Sequence, residues 1–279
     1  MILIADSGSS KTDWVVLDKQ NTLHQFKSVG INPYFWTQEQ VEEEIKKHII
    51  PQTQAYKITK IYFYGAGCST EAKKSIIFDA LTNSFKNSKI FIEHDLLAAA
   101  RALCGKSEGI ACILGTGSNA CAFDGEKITA SPINLGFWLG DEGSGGWLGK
   151  SLLTAYLHKE MPEDLLTTFS NSYVISLEDV LENAYQKPFP NRYFASFTPF
   201  FSEHIGQPFI KSLIELNFKL FLEKYVLKLP AAKSLPIHFV GSVAFYFQDI
   251  LKNILESFDL KKGNILQSPI EGLIMYHKN

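Results

Sequence analysis

Three short segments of glycine, hydroxyl and acidic residues constrain the fold of this chain more than any other feature. Residues 4–12 read IADSGSSKT, residues 113–119 read ILGTGSN, and residues 139–146 read LGDEGSGG. The first two follow short apolar runs that are typical of buried strands. Small residues after a strand let backbone N–H groups approach an anion, because no side chain stands in the way. Two such turns indicate a phosphate chain held from both sides of a cleft, as in a nucleotide enzyme.

Size and composition exclude several classes of partner. A chain of 279 residues is long enough for one large domain or two medium ones. The formal net charge of −2 favours no nucleic-acid partner. No apolar run approaches the roughly 18 residues of a membrane span, so we expect no membrane partner. The opening residues MILIADSGSS carry no basic stretch, which predicts a first strand rather than a signal peptide.

The cysteines support a cytoplasmic location. Cys68, Cys104, Cys112 and Cys121 form no Cys-x-x-Cys pair and no zinc-like spacing with the histidines. We therefore expect buried free thiols in a reducing cytoplasm.

The order of strands and helices predicts an α/β fold in which one pattern of elements occurs twice along the chain. Strands and helices alternate over the first hundred or so residues, and a strand with a phosphate-type turn begins again after Gly109. Thr37 and Gln40 form a capping box before an apolar helical repeat. Asp124-Gly125 predicts a hairpin between strands 119–123 and 126–130. The predicted elements are strands at 2–5, 13–18, 22–28, 61–64, 90–93, 110–114 and 236–240, and helices at 70–86, 96–104, 145–160, 177–186, 193–204, 208–227, 243–257 and 269–277.

Asp6 and the residues after it are candidates for metal and phosphate binding. A carboxylate at the end of a first strand can hold a hydrated Mg²⁺, which usually takes only one or two protein carboxylates. The hydroxyl and N–H groups of Ser9, Ser10 and Lys11 could meet the β- and γ-phosphates. An ordinary turn between two strands is the alternative, because the Walker spacing is absent.

The second glycine segment is the more specific phosphate signal. Gly115, Thr116 and Gly117 directly follow a buried strand and can form a concave group of N–H donors. A tight hairpin turn is the alternative interpretation.

Asp95 is the candidate base. It lies after the strand Ile90–Glu93 and at the start of a helix, so it is either an N-cap or a carboxylate at the ligand-binding edge of the sheet. In the second case it would accept the proton of an attacking hydroxyl.

Two further segments carry polar candidates. Asp141 and Glu142 are predicted to begin a helix after Gly140, and the surrounding glycines suggest a ligand at close range. Asn32, in Gly-Ile-Asn-Pro, is a candidate partner for a sugar hydroxyl or else a turn residue.

Together these segments resemble the actin-like ATPase/sugar kinase superfamily. More narrowly, they resemble the N-acetylglucosamine kinase-like branch of the BadF/BadG/BcrA/BcrD ATPase family, which includes activators of benzoyl-CoA reductase and hydroxyglutaryl-CoA dehydratase. The most specific matches are residues 114–119, LGTGSN, and residues 140–144, GDEGS. The resemblance covers nearly the whole chain. The first loop departs from the usual Asp-Gly-Gly-Gly-Thr at Ser7 and Ser9.

The resemblance implies two ribonuclease-H-like domains with ATP in the cleft between them. The first would span residues 1–106 and be joined by the C-terminal helix 268–279; the second would span 107–267. The resemblance also implies roles for single residues: Asp95 would be the catalytic base, and Asp6 would hold Mg²⁺ through water. The segment from Asp6 to Thr12 and the residues Gly115–Gly117 would bind the phosphates, and Gly241 and Ser242 would lie against the adenosine. The residues at the amino sugar would be Asn32, Ser118, Asn119, Asn134 and Asp141.

The leading hypothesis is an ATP- and Mg²⁺-dependent kinase for an amino sugar such as N-acetylglucosamine, acting at O6. Two alternatives remain open: an ATPase activator of a partner enzyme, and a non-catalytic nucleotide- or sugar-binding sensor. A homodimer is also left open.

Overall fold

The computed structural model describes residues 1–8, 10–18 and 21–278. The chain divides into two compact units. The first comprises Met1–Ser107, Asp124–Ile128 and the segment from Ser268 to the C-terminus, and the second comprises Glu108–Phe123 and Thr129–Gln267. Each unit contains its own five-stranded sheet.

The strands in the described residues are β1 (Ile2–Ser7), β2 (Lys11–Leu17), β3 (Thr22–Val29), β4 (Lys60–Gly65), β5 (Lys89–His94), β6 (Gly109–Leu114), β7 (Ser118–Phe123), β8 (Ile128–Ala130), β9 (Ile237–Val240) and β10 (Lys262–Leu266). The α-helices are α1 (Gln38–Glu44), α2 (Ile50–Thr53), α3 (Glu71–Ser84), α4 (Asp95–Cys104), α5 (Gly136–Leu139), α6 (Gly145–Leu157), α7 (Glu163–Ser172), α8 (Leu177–Tyr185), α9 (Pro190–Ala195), α10 (Thr198–Glu203), α11 (Pro208–Lys224), α12 (Ser242–Tyr246), α13 (Gln248–Ser257) and α14 (Ile270–Lys278). A π-helical turn at Ile45–Ile49 joins α1 to α2, and a 3₁₀ turn at Val226–Lys228 follows α11.

In the first unit, β1 lies at the centre of a sheet with the order β3-β2-β1-β4-β5. β1 is antiparallel to β2 and parallel to β4, which is in turn parallel to β5. The register aligns Asp6 with Tyr64 and Tyr64 with Glu93. Because the carboxyl ends of parallel strands share one edge, Asp6 and Asp95 are brought to the same side of the sheet.

Strands β1 and β2 carry apolar side chains on both faces of this sheet, because successive residues of a strand point to opposite sides. One face packs against helices through Leu3, Ala5, Trp14, Val16, Val41 and Ile77. The other face packs against α4 and α14 through Ile4, Val15, Leu17, Ala98, Leu273 and Ile274. The end of the chain therefore completes the core of the first unit.

The second unit repeats this topology. Its sheet has the order β10-β9-β6-β7-β8, with β6 antiparallel to β7 and parallel to β9, which is parallel to β10. Ile113 at the end of β6 is in register with Val240 at the end of β9. The turns that follow β6 and β9 consequently lie at one edge. A second start of the strand pattern was expected from the sequence.

Several local predictions are confirmed. The capping box is present: the Gln40 N–H donates to the Thr37 hydroxyl at 3.4 Å, and the Thr37 N–H donates to Gln40 Oε1 at 2.9 Å. At the predicted hairpin, Asp124 Oδ1 accepts the N–H groups of Glu126 and Lys127 at 2.9 and 2.8 Å. All four cysteines are buried.

Other local predictions are wrong. Asp141 and Glu142 do not begin a helix: α6 begins at Gly145, with Ser144 as its N-cap. Ser144 has the short hydroxyl side chain that accepts the Trp147 N–H at 3.0 Å, whereas Asp141 has a positive φ of 61°, which is outside the helical range. Strand β10 was not predicted, because it alternates poorly and contains a register shift between Lys262 and Ile265. Helix α7 was also missed.

No helix in the part of the chain that the structure describes combines the length and apolar character needed to cross a bilayer.

Candidate active site

The first phosphate-type loop is a hairpin between β1 and β2. The Gly8 N–H donates to the Lys11 carbonyl oxygen at 3.0 Å, and the Gly30 N–H donates to the Ser10 carbonyl at 3.2 Å. Ser10 is exposed at the tip. Lys11 Nζ pairs with Asp13 Oδ2 at 2.9 Å. Ser9, a predicted phosphate-binding residue, lies outside the described residues.

Ser7 and Thr12 lock the base of this hairpin. Both are fully buried. Their hydroxyl oxygens are 2.8 Å apart, and Thr12 donates to the Val29 carbonyl at 2.8 Å. Ser7 Oγ also accepts the Ile31 N–H at 2.9 Å. Ser7 does not have a positive φ, so this serine fits without backbone strain. The hydroxyl of Thr12 is thus engaged within the hairpin, and its role at the loop would be to hold the backbone.

Asp6 and Asp95 form an acidic pair in the first unit. Asp6 is half-buried at the end of β1; desolvation and the nearby carboxylates of Asp13 and Asp95 raise its pKa to about 7, although Lys11 opposes the shift. Desolvation also raises the pKa of Asp95 to about 6, against the effect of backbone N–H donors at Leu96 and Asp95. A carboxylate with a pKa near neutrality is suited to accept a proton.

Asp95 is not the N-cap of α4. That position belongs to His94, whose Nδ1 accepts the Leu97 N–H at 3.2 Å. Asp95 is the first residue of the helix, and its Oδ1 accepts the Leu96 N–H at 2.9 Å. The capping interpretation of Asp95 is therefore wrong, because its neighbour already performs the capping.

The residues around Asp6 fit a hydrated magnesium ion. Among the described residues, no group of three or more His, Cys, Asp or Glu side chains is arranged to hold a metal. Mg²⁺ does not need such a group, since it usually takes one or two carboxylates and completes its shell with waters and phosphates. Asp6 supplies one carboxylate, and a divalent cation would offset the desolvation of its charged form and its repulsion by Asp13 and Asp95.

Asn32 is held in the first unit near an exposed aromatic residue. Asn32 is buried, and its Oδ1 accepts the Tyr34 N–H at 2.9 Å. Tyr34 is 55% exposed. Its hydroxyl lies 3.2 Å from Ser69 Oγ, and Lys73 Nζ lies 4.7 Å from its ring centroid. Lys73 Nζ also donates to the Pro33 carbonyl at 2.9 Å. Sequence reasoning missed Tyr34 and Lys73; an aromatic residue two positions after Asn32 was the available signal.

In the second unit, the loop after β6 is tied to the start of α6. The Gly115 N–H donates to the Gly117 carbonyl at 2.9 Å, which closes the turn. The N–H groups of Gly145 and Gly146 donate to the carbonyls of Gly115 and Thr116 at 2.8 and 3.1 Å. The second and third glycine segments of the sequence therefore form one structural feature.

Gly241 and Ser242 lie against the same loop. Gly241 has a φ of 122°, and a Cβ there would collide with the Leu114 carbonyl oxygen. Only glycine allows β9 to turn into α12 this close to the end of β6. A cavity of about 450 Å³ opens beside this turn. The loop after β6, the first residue of α6 and the helices α9, α10 and α12 line this cavity. The lining residues are Gly115, Thr116, Gly145, Ala195, Thr198, Pro199, Ser202, Glu203, Ser242, Val243 and Tyr246.

The predicted sugar-binding residues of the second unit make hydrogen bonds within their own loops. Ser118 is buried, and its hydroxyl donates to the Glu142 carbonyl at 2.6 Å. Asn134 Nδ2 donates to the Ser118 carbonyl at 2.7 Å, and its Oδ1 accepts the Gly136 N–H at 2.7 Å. Asn119 Oδ1 accepts the Ala120 N–H at 2.9 Å. These contacts fix the loops around Asp141.

Asp141 is buried, and its Oδ1 accepts the Ser118 N–H at 3.4 Å. Burial raises the pKa of Asp141, although the Ser118 N–H and Lys150 lower it. Lys150 Nζ donates to the Phe137 carbonyl at 2.7 Å. Desolvation lowers the pKa of Lys150, against the attraction of Asp141 and Glu142.

Helix α11 supplies the remaining partners of this segment, all missed by sequence reasoning. Asn217 Oδ1 accepts the Gly143 N–H at 2.6 Å. Lys224 Nζ contacts Glu142 Oε1, and the Tyr225 hydroxyl donates to Glu142 Oε2 at 3.1 Å. Despite desolvation, these two donors hold the pKa of Glu142 below its ordinary value. A polar Asn217 in an otherwise apolar helical stripe was the only sequence signal.

Solved structures similar to this chain include two putative N-acetylglucosamine kinases and a glucokinase. The putative N-acetylglucosamine kinase from Porphyromonas gingivalis is 44% identical, with a TM-score of 0.96 over 100% of this chain and 99% of that chain. The putative N-acetylglucosamine kinase from Chromobacterium violaceum is 14% identical, with a TM-score of 0.74 over 99% and 98%. A ROK family glucokinase from Streptomyces griseus, solved with glucose and AMPPNP, is 14% identical, with a TM-score of 0.57 over 99% and 97%.

The last two likenesses concern the fold alone, and they agree with two ribonuclease-H-like domains of the actin-like ATPase type. No family model matches the chain, and a search of curated proteins returned no match.

Proposed function

Because this chain belongs to the N-acetylglucosamine kinase-like branch of the BadF/BadG/BcrA/BcrD ATPase family, within the actin-like ATPase/sugar kinase superfamily, we propose that it phosphorylates an amino sugar with ATP. The substrate we propose is N-acetylglucosamine or a close relative, and the acceptor is the hydroxyl at O6. The two compact units correspond in this proposal to the two kinase domains, with boundaries near residues 106 and 267.

The observation that carries the proposal is the position and ionisation of Asp95. It lies just past the carboxyl end of β5, on the edge that also carries Asp6, and desolvation raises its pKa to about 6. Such a carboxylate is ionised at neutral pH and still basic enough to take a proton from a hydroxyl as that hydroxyl becomes a nucleophile.

The reaction would proceed by direct transfer. The sugar oxygen forms a bond to the γ-phosphorus, the bond from that phosphorus to the β-phosphate oxygen breaks, and the hydroxyl proton passes to Asp95. ADP leaves with the electron pair of the broken bond. Backbone N–H groups of the two glycine loops would stabilise charge on the transferred group.

Asp6 would hold Mg²⁺ through water. The ion would neutralise charge on the β- and γ-phosphates of bound ATP. Desolvation and the carboxylates of Asp13 and Asp95 raise the pKa of Asp6, and a bound cation would offset both effects.

The cavity beside Gly241 is the proposed site of the adenosine. Its volume of about 450 Å³ is in the range of small-ligand pockets. Tyr246 is 59% exposed at the wall of this cavity and offers a ring face to a base. The proposed phosphate-binding residues are Ser9, Ser10 and Lys11 on one loop and Gly115, Thr116 and Gly117 on the other; Thr12, whose hydroxyl donates to the Val29 carbonyl, would hold the backbone of the first loop.

The proposed sugar-binding residues fall into two groups. Asn32 belongs to the first unit, and we add its neighbour Tyr34 as an exposed ring on which a pyranose can pack. Asp141 belongs to the second unit, where Ser118, Asn119 and Asn134 support it.

A coupled ADP-release assay with Mg-ATP tests the proposal. The panel contains N-acetylglucosamine, glucosamine, N-acetylmannosamine, N-acetylmuramic acid and glucose, and phosphorus NMR of the product locates the phosphate. We expect release that depends on one N-acetylated amino sugar. No stimulation by any of these sugars, in protein shown to bind ATP, would overturn the proposal in favour of an ATPase activator or a sensor.

A further inference from the structure

The segment Gly140–Ser144 adopts a backbone that its sequence does not favour by itself. Asp141 has a φ of 61° and Gly143 a φ of 92°. A left-handed conformation is easy for glycine but costs free energy for aspartate, so contacts from elsewhere must hold Asp141 in it.

Tyr225 makes two contacts of this kind through one hydroxyl group. Its oxygen accepts the Asp141 N–H at 3.2 Å, and its hydrogen is donated to Glu142 Oε2 at 3.1 Å. Tyr225 is 3% exposed and Glu142 is 5% exposed. A buried hydroxyl that uses both its donor and its acceptor capacity has a single orientation, which in turn fixes the Asp141 backbone.

The surroundings leave little freedom to either partner. A Cβ at Gly140 would lie 2.8 Å from the Tyr225 hydroxyl, so a residue with a side chain there would displace the ring. Lys224 binds the other oxygen of Glu142. Asn217, on the same helix, holds Gly143 and donates to the Ser144 carbonyl at 3.3 Å.

We propose that Tyr225 is a positioning residue that fixes the strained Asp141 backbone and thereby aims its carboxylate at the sugar. The inference rests on the proposed function for the identity of the ligand. The two hydrogen bonds that join the Tyr225 hydroxyl to Asp141 and Glu142, which we call the clamp, lie within the second unit and do not depend on that identity. Tyr225 acts through Asp141 and Glu142 and does not touch the substrate.

The test compares Tyr225→Phe with Tyr156→Phe. The first removes only the bridging hydroxyl; the second removes a hydroxyl from α6, where Tyr156 packs against Phe169 with ring centroids 4.7 Å apart. Hydrogen–deuterium exchange of the peptide that contains residues 140–144 reports the clamp without any need for activity. Steady-state kinetics with N-acetylglucosamine and ATP report its effect on the proposed reaction.

We expect Tyr225→Phe to speed exchange in this peptide about tenfold, and to raise the KM for the sugar about tenfold, while the KM for ATP changes less than about twofold. Tyr156→Phe leaves both readouts unchanged. In an Asp141→Asn background, which keeps the N–H and tolerates a positive φ, Tyr225→Phe should change the sugar KM by less than about twofold, because the two residues act as one unit.

Two results would overturn the inference. Unchanged hydrogen–deuterium exchange of residues 140–144 in Tyr225→Phe would show that the clamp does not hold this segment, whichever substrate the enzyme phosphorylates. Faster exchange with an unchanged sugar KM would reduce Tyr225 to a purely structural role. Absence of sugar phosphorylation by the wild-type protein would instead count against the proposed function, and the exchange measurement would still decide the clamp.

Discussion

At the scale of single residues, the proposed chemistry depends on how burial and neighbouring charges shift the pKa values of two carboxylates. Asp6 lies near the carboxyl end of β1 and Asp95 just past the end of β5, and both pKa values are raised toward neutrality. Desolvation is the largest cause in both cases, since it disfavours the charged form. Asp13 and Asp95 add repulsion at Asp6.

Replacement of the base is the first prediction at this scale. We expect Asp95→Asn to lower kcat by about 10²- to 10⁴-fold, because the amide cannot accept the hydroxyl proton. ATP binding, measured by calorimetry, should be unchanged. Asp79→Asn, an exposed position on α3, is the matched control and should keep full turnover. Normal turnover in Asp95→Asn would exclude the mechanism.

The pH dependence of activity gives the second prediction. Asp95 must be unprotonated to accept a proton, and its pKa is about 6. We therefore expect kcat/KM for the sugar to rise with pH through about 6 and then level off. A pH-rate profile at saturating Mg-ATP measures this limb. A profile that is flat from pH 5 to pH 8 would contradict the assignment of Asp95.

The ionisation of Asp6 links pH to the stability of the protein in the absence of metal and nucleotide. The folded-state pKa of Asp6, about 7, is above its ordinary value of 3.8. The protonated form is thus favoured by folding, and the stabilisation present below about pH 4 is lost as the pH rises through about 7. We expect the free energy of unfolding of the first unit to fall over this range, and Asp6→Asn to flatten the dependence. Urea titrations at several pH values measure the effect; an equally steep fall in the variant would refute it.

At the scale of elements, tight turns bring together the loops that we propose for nucleotide binding. The Gly145 and Gly146 N–H groups at the start of α6 bind the carbonyls of the loop after β6. The turn from β9 into α12 passes so close to Leu114 that only glycine fits at position 241. Backbone proximity, more than side-chain chemistry, shapes this part of the cavity.

Substitution at this turn is the prediction at the element scale. We expect Gly241→Ala to destabilise the second unit by about 1–3 kcal/mol and to weaken ATP binding, because the Cβ meets the Leu114 carbonyl at a φ of 122°. Gly206→Ala is the control, since nothing lies within 4 Å of a Cβ there. Denaturant unfolding and nucleotide titration measure the two effects. Equal stability of the two variants would contradict the close approach of position 241 to the Leu114 carbonyl.

At the scale of the whole molecule, the end of the chain completes the unit that the beginning of the chain starts. Leu273, in α14, is fully buried in a cluster with Ile4, Val15 and Ala98. We expect Leu273→Ala to destabilise the first unit by about 2–5 kcal/mol, through lost burial and the cavity left behind. Met275→Ala, at a residue that is 60% exposed, should change stability by less than about 0.5 kcal/mol. Denaturant midpoints together with hydrogen exchange in β1 and β2 measure the difference. Exchange in β1 unaltered by Leu273→Ala would argue against the packing.

Much of the site was predictable because its signals are local. A strand that ends near Asp6 or just before Gly115, and a helix that begins at Asp95, are each recognisable within a few residues, since propensity and steric constraints act over that range. The same local approach failed at Asp141, which has helix-start chemistry but a left-handed backbone. It also failed at β10, whose pairing with β9 is irregular.

The amino-acid sequence by itself determined the repeated strand pattern, the glycine loops and the candidate base, because hydrophobic alternation and small residues after strands act locally. Tertiary structure alone decided which groups surround them. Tyr225 reaches Asp141 across 84 residues of chain, and Asn217 reaches Gly143 across 74. The pKa of Asp6 likewise depends on Asp95 from a different strand end. Hydrogen bonds and charge interactions depend on distances in space, and residue order leaves these undetermined until the sheets and helices have packed.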